Sequence, residues 1–294
     1  MCGIGGAFNL SKNNKKLSTD NIKIIRKFLR ERGPDSDKTW ISKKKDAILT
    51  IQRLATQDKR PIANQPCFST DKSTVLIMNG EIYNHRELKK ILLKNNYKFL
   101  SNSDAEVAVN AYHFWGKNFL KKLDGQFAIF VLNTTSNEGL IARDKHGIAP
   151  LYYSLNKNRL FFSSSPTSIY KQLKLKIKIS KKGFTDFMVS SCLTENNTFF
   201  EQIKYLSPGN FIEFKINKFL KKPKSFLDNR EEKIATSDNV SKTIKKIGST
   251  LYKSVESRIS GDKKVGIFLS GGIDSVLLLS MYKRLHPNTK IKTF

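Results

Sequence analysis

The chain has 294 residues with 53 Lys and Arg against 25 Asp and Glu, a formal net charge of +28, and is long enough for two domains with a sizeable core. That charge would ordinarily point to nucleic acid or an anionic membrane, but the excess is mostly lysine, scattered in pieces such as Lys43-Lys44-Lys45, Lys121-Lys122 and Lys263-Lys264 between apolar segments, and reads as compositional bias on solvated faces. The chain contains no run of about 18 apolar residues, the length needed to span a membrane, no basic-then-apolar leader opens it, and the three distant cysteines Cys2, Cys67 and Cys192 suggest neither a disulfide framework nor a metal site, so a reducing cytoplasm is the simplest home.

Residues 1–10 read as a buried strand entering at Cys2. Apolar residues at Ile22, Ile25, Phe28 and Leu29 give 19–30 the spacing of a helix, which Gly33-Pro34-Asp35 ends. Segments 47–51, 75–78, 127–132 and 139–142 are rich in Ile, Val, Leu and Phe and read as strands. Between them, 84–95 and 104–115 read as helices. Short strands near 151–153 and 160–163 follow, and 211–216 is a late strand after the turn Ser207-Pro208-Gly209. Residues 217–240 turn polar and lose any period, which marks a linker between a domain at 1–216 and another at 241–294. The second begins with a helix at 241–258, then a strand at 265–269, a glycine loop, a helix at 274–285 and an incipient strand at 291–294. One βαβ unit cannot bury both faces of its sheet, so this domain is expected to be truncated.

Two places carry chemistry. Met1-Cys2-Gly3-Ile4-Gly5-Gly6 puts a thiol directly after the initiator. Removal of Met1 leaves a thiol and a free α-amine on one residue, a nucleophile with its own base, since an α-amine titrates at about 7.7–8.0. A plain buried cysteine is the alternative; the position and the glycines, which let backbone approach closely, favour the nucleophile. Asn79-Gly80, at the end of strand 75–78, offers an amide and a flexible N–H to a developing oxyanion, although alone the pair is more often a turn. The second place is Ser270-Gly271-Gly272-Ile273-Asp274-Ser275, between a strand and a helix. It aims backbone N–H groups at an anion, without the lysine of the Gly-x-x-x-x-Gly-Lys-Ser/Thr loop. A glycine-rich turn capped by Asp274 is the plain alternative.

Taken in order, Met1-Cys2-Gly3-Ile4, Arg32-Gly33-Pro34-Asp35, Gln52-Arg53-Leu54, Asn79-Gly80-Glu81-Ile82-Tyr83-Asn84, Ser103-Asp104-Ala105-Glu106, Leu123-Asp124-Gly125-Gln126-Phe127-Ala128 and Ala142-Arg143-Asp144 resemble the class II glutamine amidotransferases, which are N-terminal nucleophile hydrolases. Gly147-Ile148-Ala149-Pro150-Leu151-Tyr152-Tyr153, Leu206-Ser207-Pro208-Gly209 and the Ser-Gly-Gly-Ile-Asp-Ser loop narrow the resemblance to the glutamine-hydrolysing asparagine synthetases. The implied class is α+β. An N-terminal nucleophile hydrolase α/β/β/α sandwich would fill about the first 215 residues, before an incomplete α/β, doubly wound adenine-nucleotide α-hydrolase domain.

The resemblance implies roles. Cys2 would attack the side-chain amide of glutamine, with its own α-amine as proton acceptor and then donor to ammonia. Asn79 and the Gly80 N–H would form the oxyanion hole. Arg53 and Leu54 would bind substrate, the guanidinium of Arg53 taking the α-carboxylate. Asp104 and Glu81 would meet the α-ammonium and amide end. Leu269 would lie near adenine, and Ser270, Gly271, Gly272, Asp274 and Ser275 would grip the ATP pyrophosphate, with Mg²⁺ sharing the charge. The implied partners are glutamine, aspartate and ATP, with a possible homodimer, no specific nucleic acid and no membrane. The whole reaction would convert aspartate, ATP and glutamine into asparagine, AMP, pyrophosphate and glutamate through an aspartyl-adenylate, while this chain alone would be competent only as a glutaminase. The alternatives are a two-domain amidotransferase acting on a surface-polysaccharide or peptide precursor, and a degenerate non-enzymatic fragment. Gln52 stands where the family more often has His, His146 where it has Phe, and Ser165-Pro166 where it has an acidic dipeptide. The last puts ammonia transfer in question.

Overall fold

The computed structural model describes residues 1–174, 176, 178–194, 196–217, 222–227, 239–259 and 265–294. The chain divides into two units, Met1–Asp228 and Asn229–Phe294. In the first, the elements run β1 (Gly3–Asn9), α1 (Asp20–Leu29), β2 (Ser36–Ile41), β3 (Ala47–Arg53), β4 (Cys67–Phe68), β5 (Thr74–Ile82), α2 (His85–Lys94), α3 (Asp104–Trp115), β6 (Gly125–Asn133), β7 (Glu138–Arg143), β8 (Tyr152–Asn156), β9 (Arg159–Ser163), α4 (Pro166–Leu173), α5 (Lys181–Ser190), β10 (Lys204–Tyr205), β11 (Asn210–Lys215) and β12 (Lys224–Ser225). They make two six-stranded sheets, ordered β10-β8-β9-β1-β3-β2 and β12-β11-β7-β6-β5-β4.

Side chains alternate across a strand, and this sorts the apolar residues into three layers. Ile4 and Phe8 of β1, Leu49 and Ile51 of β3, Val75 and Ile77 of β5, and Phe130 and Leu132 of β6 form the layer between the sheets. Phe130 stacks on Phe162 of the opposite sheet at 4.5 Å between ring centroids. Each such fully buried ring contributes about 1.5–3 kcal/mol. The alternate residues Leu76, Met78, Ile129 and Val131 face Leu88 and Leu92 of α2 and Val107 and Ala108 of α3. On the outer side of the first sheet, Ala7 and Ile48 pack with Ile169 of α4. Gly5 lies under α1, where a Cβ would meet Ile25 at 2.9 Å. The result is an α/β/β/α sandwich.

Most strands were readable because they are buried on both faces. Three differences have physical causes. The strand expected at 75–78 runs on to Ile82, with Asn79 opposite Ala128 and Gly80 opposite Phe127, so Asn79-Gly80 lies within a strand and is not a turn. The ladder with β6 carries it past the end of the apolar run. The edge strand β2 has exposed Asp37 and Lys38 and so no clean alternation; it exists by pairing with β3 from Ser36↔Arg53 to Ile41↔Ile48. Helix α5 buries only Gly183 and shows no apolar stripe toward the core. Ser165-Pro166 acquires a local meaning, since Ser165 is extended and Pro166 opens α4 at the position where a missing N–H is harmless.

The stretch 217–240 read as a linker contains β12, which pairs with β11 at Asn210↔Ser225 and Phe211↔Lys224, and Phe226 is buried against Phe127. Residues 218–221 and 228–238 of that stretch lie outside the described residues. In the second unit, α6 (Val240–Arg258), β13 (Gly266–Ile267), α7 (Ile273–Leu285) and β14 (Lys292–Thr293) follow the expected order. β13 and β14 are parallel and pair over only two residues each, fewer than the apolar runs suggested, because no further strand flanks them among the described residues. No helix among the described residues is long and apolar enough to cross a membrane.

Candidate active site

The antiparallel register of β1 and β3 sets Gly3 opposite Gln52, which brings Cys2 beside Arg53 and Leu54. The Leu54 N–H donates to the Cys2 Sγ at 3.3 Å, and the thiol lies 3.6 Å from the Leu54 carbonyl. Arg32 Nε donates to the Cys2 carbonyl at 3.1 Å. Gly33 makes this approach feasible, because a Cβ there would come within 2.1 Å of the Gln52 carbonyl. Asp35 then brackets Arg53: its N–H donates to the Arg53 carbonyl at 3.0 Å, and its carboxylate accepts from the Ala55 N–H at 2.8 Å. The Arg-Gly-Pro-Asp motif is thus the buttress of the strand end that carries the thiol's neighbours.

Burial pushes the Cys2 thiol above its ordinary pKa. The Leu54 N–H, the chain's N-terminal amine and Arg53 oppose that shift, and Asp104 adds to it. The resting group is therefore the thiol, and attack requires a base.

Arg53 is buried, yet its guanidinium is held by neutral oxygens: Nη1 donates to Asn64 Oδ1 at 2.8 Å, and Nη2 to the carbonyls of Gln57 and Asp58 at 2.8 and 2.9 Å. A guanidinium has five N–H donors, so these bonds leave donors and a full positive charge for an anion. Alternation along β5 places Asn79 on the face of Val75 and Ile77, the same inter-sheet layer that contains Cys2. Asn79 is fully buried, and neither its Nδ2 nor its Oδ1 has a hydrogen-bond partner among the described residues. Buried amides without partners are rare and cost about 1–3 kcal/mol. Gly80 follows at φ +143, where a Cβ would meet the Gln126 carbonyl at 2.0 Å; only glycine fits.

Asp104 opens α3. The cap is Ser103, whose hydroxyl accepts from the Ala105 N–H. The Asp104 carboxylate accepts from the N–H groups of Ile82 and Ala105, each at 2.9 Å. Burial raises its pKa to about 6, partly opposed by the Ile82 N–H and reinforced by Glu81. Glu81 in turn accepts from Gln57 Nε2. The sequence-predicted residues Cys2, Arg53, Leu54, Asn79, Gly80, Glu81 and Asp104 therefore gather where the ends of β1, β3 and β5 meet the start of α3.

Sequence reasoning missed the residues that hold this cluster. Gln57, Asp58 and Asn64 fix Arg53. Gln65 stands in for a strand edge, its amide donating to the Met78 carbonyl and accepting from the Met78 N–H. A polar side chain inside a loop gives no signal of this kind in one sequence. Conversely, Ala142-Arg143-Asp144 is structural. Buried Asp144 accepts from the N–H groups of Phe127, His146, Ile148 and Ala149. Arg143 donates to the carbonyls of Ala149 and Leu206.

In the second unit, Leu269 is tied by its N–H to the Phe294 carbonyl at 2.8 Å. Gly271 has φ +79 with open space around it, and α7 begins at Ile273 with no side chain capping its first turn. Ser275 Oγ donates to the Gly272 carbonyl at 2.9 Å and lies 3.3 Å from Ser270 Oγ. Asp274 is exposed in the first turn. No group of three or more His, Cys, Asp or Glu able to hold a metal ion occurs among the described residues.

Residues 1–225 match the family described as glutamine amidotransferase domain, and residues 246–294 match asparagine synthase. The chain is similar to glutamine-hydrolyzing asparagine synthetase 1 of Bacillus subtilis, 30% identical over 301 residues that cover 100% of this chain and 45% of that protein. It is also similar to glutamine-hydrolyzing asparagine synthetase 2 of the same organism, at 31% over 291 residues, covering 94% of this chain and 38% of that protein. The chain thus spans less than half the length of these relatives. Among solved structures, a glutamine phosphoribosylpyrophosphate amidotransferase from B. subtilis, complexed with ADP and GMP, matches with a TM-score of 0.51 and 16% identity over 100% of this chain and 65% of that one. At that identity the likeness is one of fold.

Proposed function

Because the chain belongs to the glutamine amidotransferase domain family, we propose that it hydrolyses the side-chain amide of glutamine at Cys2 and that the ammonia serves an ATP-dependent synthesis of asparagine. The observation that carries the first half is Asn79, an amide buried without partners among the described residues in the layer that holds Cys2. Once Met1 is removed, the Cys2 α-amine accepts the thiol proton as sulfur attacks the amide carbon. Asn79 Nδ2 and the Gly80 N–H receive the oxyanion. The amine returns the proton to the departing ammonia, and water releases glutamate from the thioester. Arg53 takes the α-carboxylate with its free donors, Leu54 lines the site through its backbone, and Asp104 with Glu81 takes the α-ammonium. Release of glutamate from glutamine by the purified chain tests this reading; no release would overturn it.

Arg53→Lys keeps the charge but loses the planar fork. It is expected to raise the glutamine KM, with a loss of about 2–3 kcal/mol in kcat/KM, as for a charged hydrogen bond. Asp104 predicts a pH dependence. With a pKa raised to about 6, its carboxylate is ionised above that pH and neutral below it. The glutamine KM should therefore rise as pH falls through about 6, and Asp104→Asn should flatten that profile around a high KM. A wild-type KM constant from pH 5 to 8 would refute the role.

The second half rests on the match of residues 246–294 and on the glycine loop. The loop suits a polyphosphate: Gly271 leaves the backbone open, and the N–H groups of the first turn of α7 point outward without a cap. Ser270, Gly271, Gly272, Asp274 and Ser275 would hold the ATP pyrophosphate, with Mg²⁺ sharing its charge, and Leu269 would lie against adenine. ATP supplies the leaving group that activates the aspartate carboxylate. On this reading the full protein is a ligase with glutamine as amido donor, cytoplasmic, and open to homodimer formation.

A further inference from the structure

A glutamine site must recognise a zwitterion, so the cation for the carboxylate and the anion for the ammonium need a fixed separation. Here they stand on different elements. Arg53 ends β3 of the first sheet, and Asp104 opens α3, which packs on the second. Asp58 touches both sides. Its backbone carbonyl accepts from Arg53 Nη2 at 2.9 Å. Its carboxylate Oδ2 accepts from the N–H of Asn102, two residues before Asp104, at 2.8 Å. Arg60 closes the carboxylate from outside, donating from Nε to Oδ1 at 2.8 Å and from Nη2 to Oδ2 at 2.6 Å. Asp58 is 7% exposed. Its backbone adopts φ +38, a left-handed conformation that Asp tolerates better than most residues. That twist lets one residue offer its carbonyl to Arg53 and its carboxylate to the turn before α3.

We infer that Asp58 is a positioning residue of the glutamine site: its carboxylate clips segment 53–60 to the N-terminal turn of α3 and so sets the spacing between the guanidinium of Arg53 and the carboxylate of Asp104. The inference rests on the glutaminase reading above. Asp58 itself touches no substrate. It governs which α-amino acid is captured, and leaves the reactivity of Cys2 untouched.

The test compares two reagents on Cys2 in the full chain, with mass spectrometry timing the adduct. 6-Diazo-5-oxo-L-norleucine carries the α-carboxylate and α-ammonium of glutamine; iodoacetamide carries neither. Asp58→Asn keeps size and tolerance of positive φ but removes the charge. It should slow labelling by the norleucine reagent about tenfold and leave iodoacetamide within about twofold, as for one lost charge-assisted hydrogen bond felt only by the zwitterion. The glutamine KM should rise while kcat holds, and Asp58→Glu should recover part of the loss. Arg60→Met leaves Asp58 bonded to Asn102 and should show a smaller loss in the same sense; it serves if Asp58→Asn does not fold. Equal slowing with both reagents would make Asp58 a general support of the fold and overturn the inference, as would no change with either. Wild-type protein that reacts with iodoacetamide at Cys2 but not with the norleucine reagent would instead refute the glutamine site itself.

Discussion

Replacing Cys2 with alanine is expected to abolish glutamine hydrolysis and leave the fold in place. The side chain is nearly buried, and among the described residues its polar contacts run to the Leu54 backbone. Losing a bond of that kind costs about 1 kcal/mol, a shift of roughly 2–4 °C in Tm for a chain of this size. Activity has no substitute thiol. Cys67 belongs to the layer on the helix side of the second sheet, and Cys192 is exposed on the surface. Cys2→Ser should also be nearly inactive, since a hydroxyl is a far weaker nucleophile than a thiol when an α-amine is the base. Mass spectrometry should find the mature chain beginning at Cys2, and a glutamate assay should separate the variants. An alanine variant with undiminished activity would remove Cys2 from the reaction.

Asn79→Ala is expected to lower kcat by about 10²–10³-fold with little change in KM, as for the loss of one oxyanion donor. Its effect on stability should run the other way. The wild-type amide is fully buried with both polar atoms unpartnered among the described residues. Removing it relieves a desolvation penalty of about 1–3 kcal/mol and offsets the small cavity left behind. Tm should hold or rise while turnover collapses, the pattern of a site kept at the expense of stability. A fall in Tm together with an unchanged kcat, or a change in KM alone, would show that Asn79 supports the sheet and does not stabilise an oxyanion.

The sequence was legible wherever burial repeats with the period of the backbone. Strands β1, β3, β5, β6 and β7 are almost wholly buried, so their Ile, Val, Leu and Phe runs stand out, and α3 begins where Ser103 and Asp104 give a capped start. Elements made by their neighbours were not legible. β2 is an edge strand of mixed polarity, β12 is two lysine- and serine-bearing residues laid on β11, and α5 presents no core stripe.

For the candidate site the division is sharper. The sequence by itself determined the chemical identities: a thiol after the initiator, a guanidinium after Gln52, an amide before a glycine, a carboxylate after a capping serine. These are legible because side-chain chemistry belongs to the residue and travels with its motif. Only the tertiary structure decided their company and their electrostatic state. The register of β1 on β3 put Leu54 against the thiol, and the inter-sheet layer buried Asn79 without a partner among the described residues. Burial raised Cys2 and Asp104 together, while Gln57, Asp58 and Asn64 hold the Arg53 guanidinium through neutral oxygens. Desolvation and hydrogen-bond partnership depend on residues that fold alongside, from 4 positions away for Gln57 on Arg53 to 52 for Leu54 on Cys2, and no local pattern encodes them.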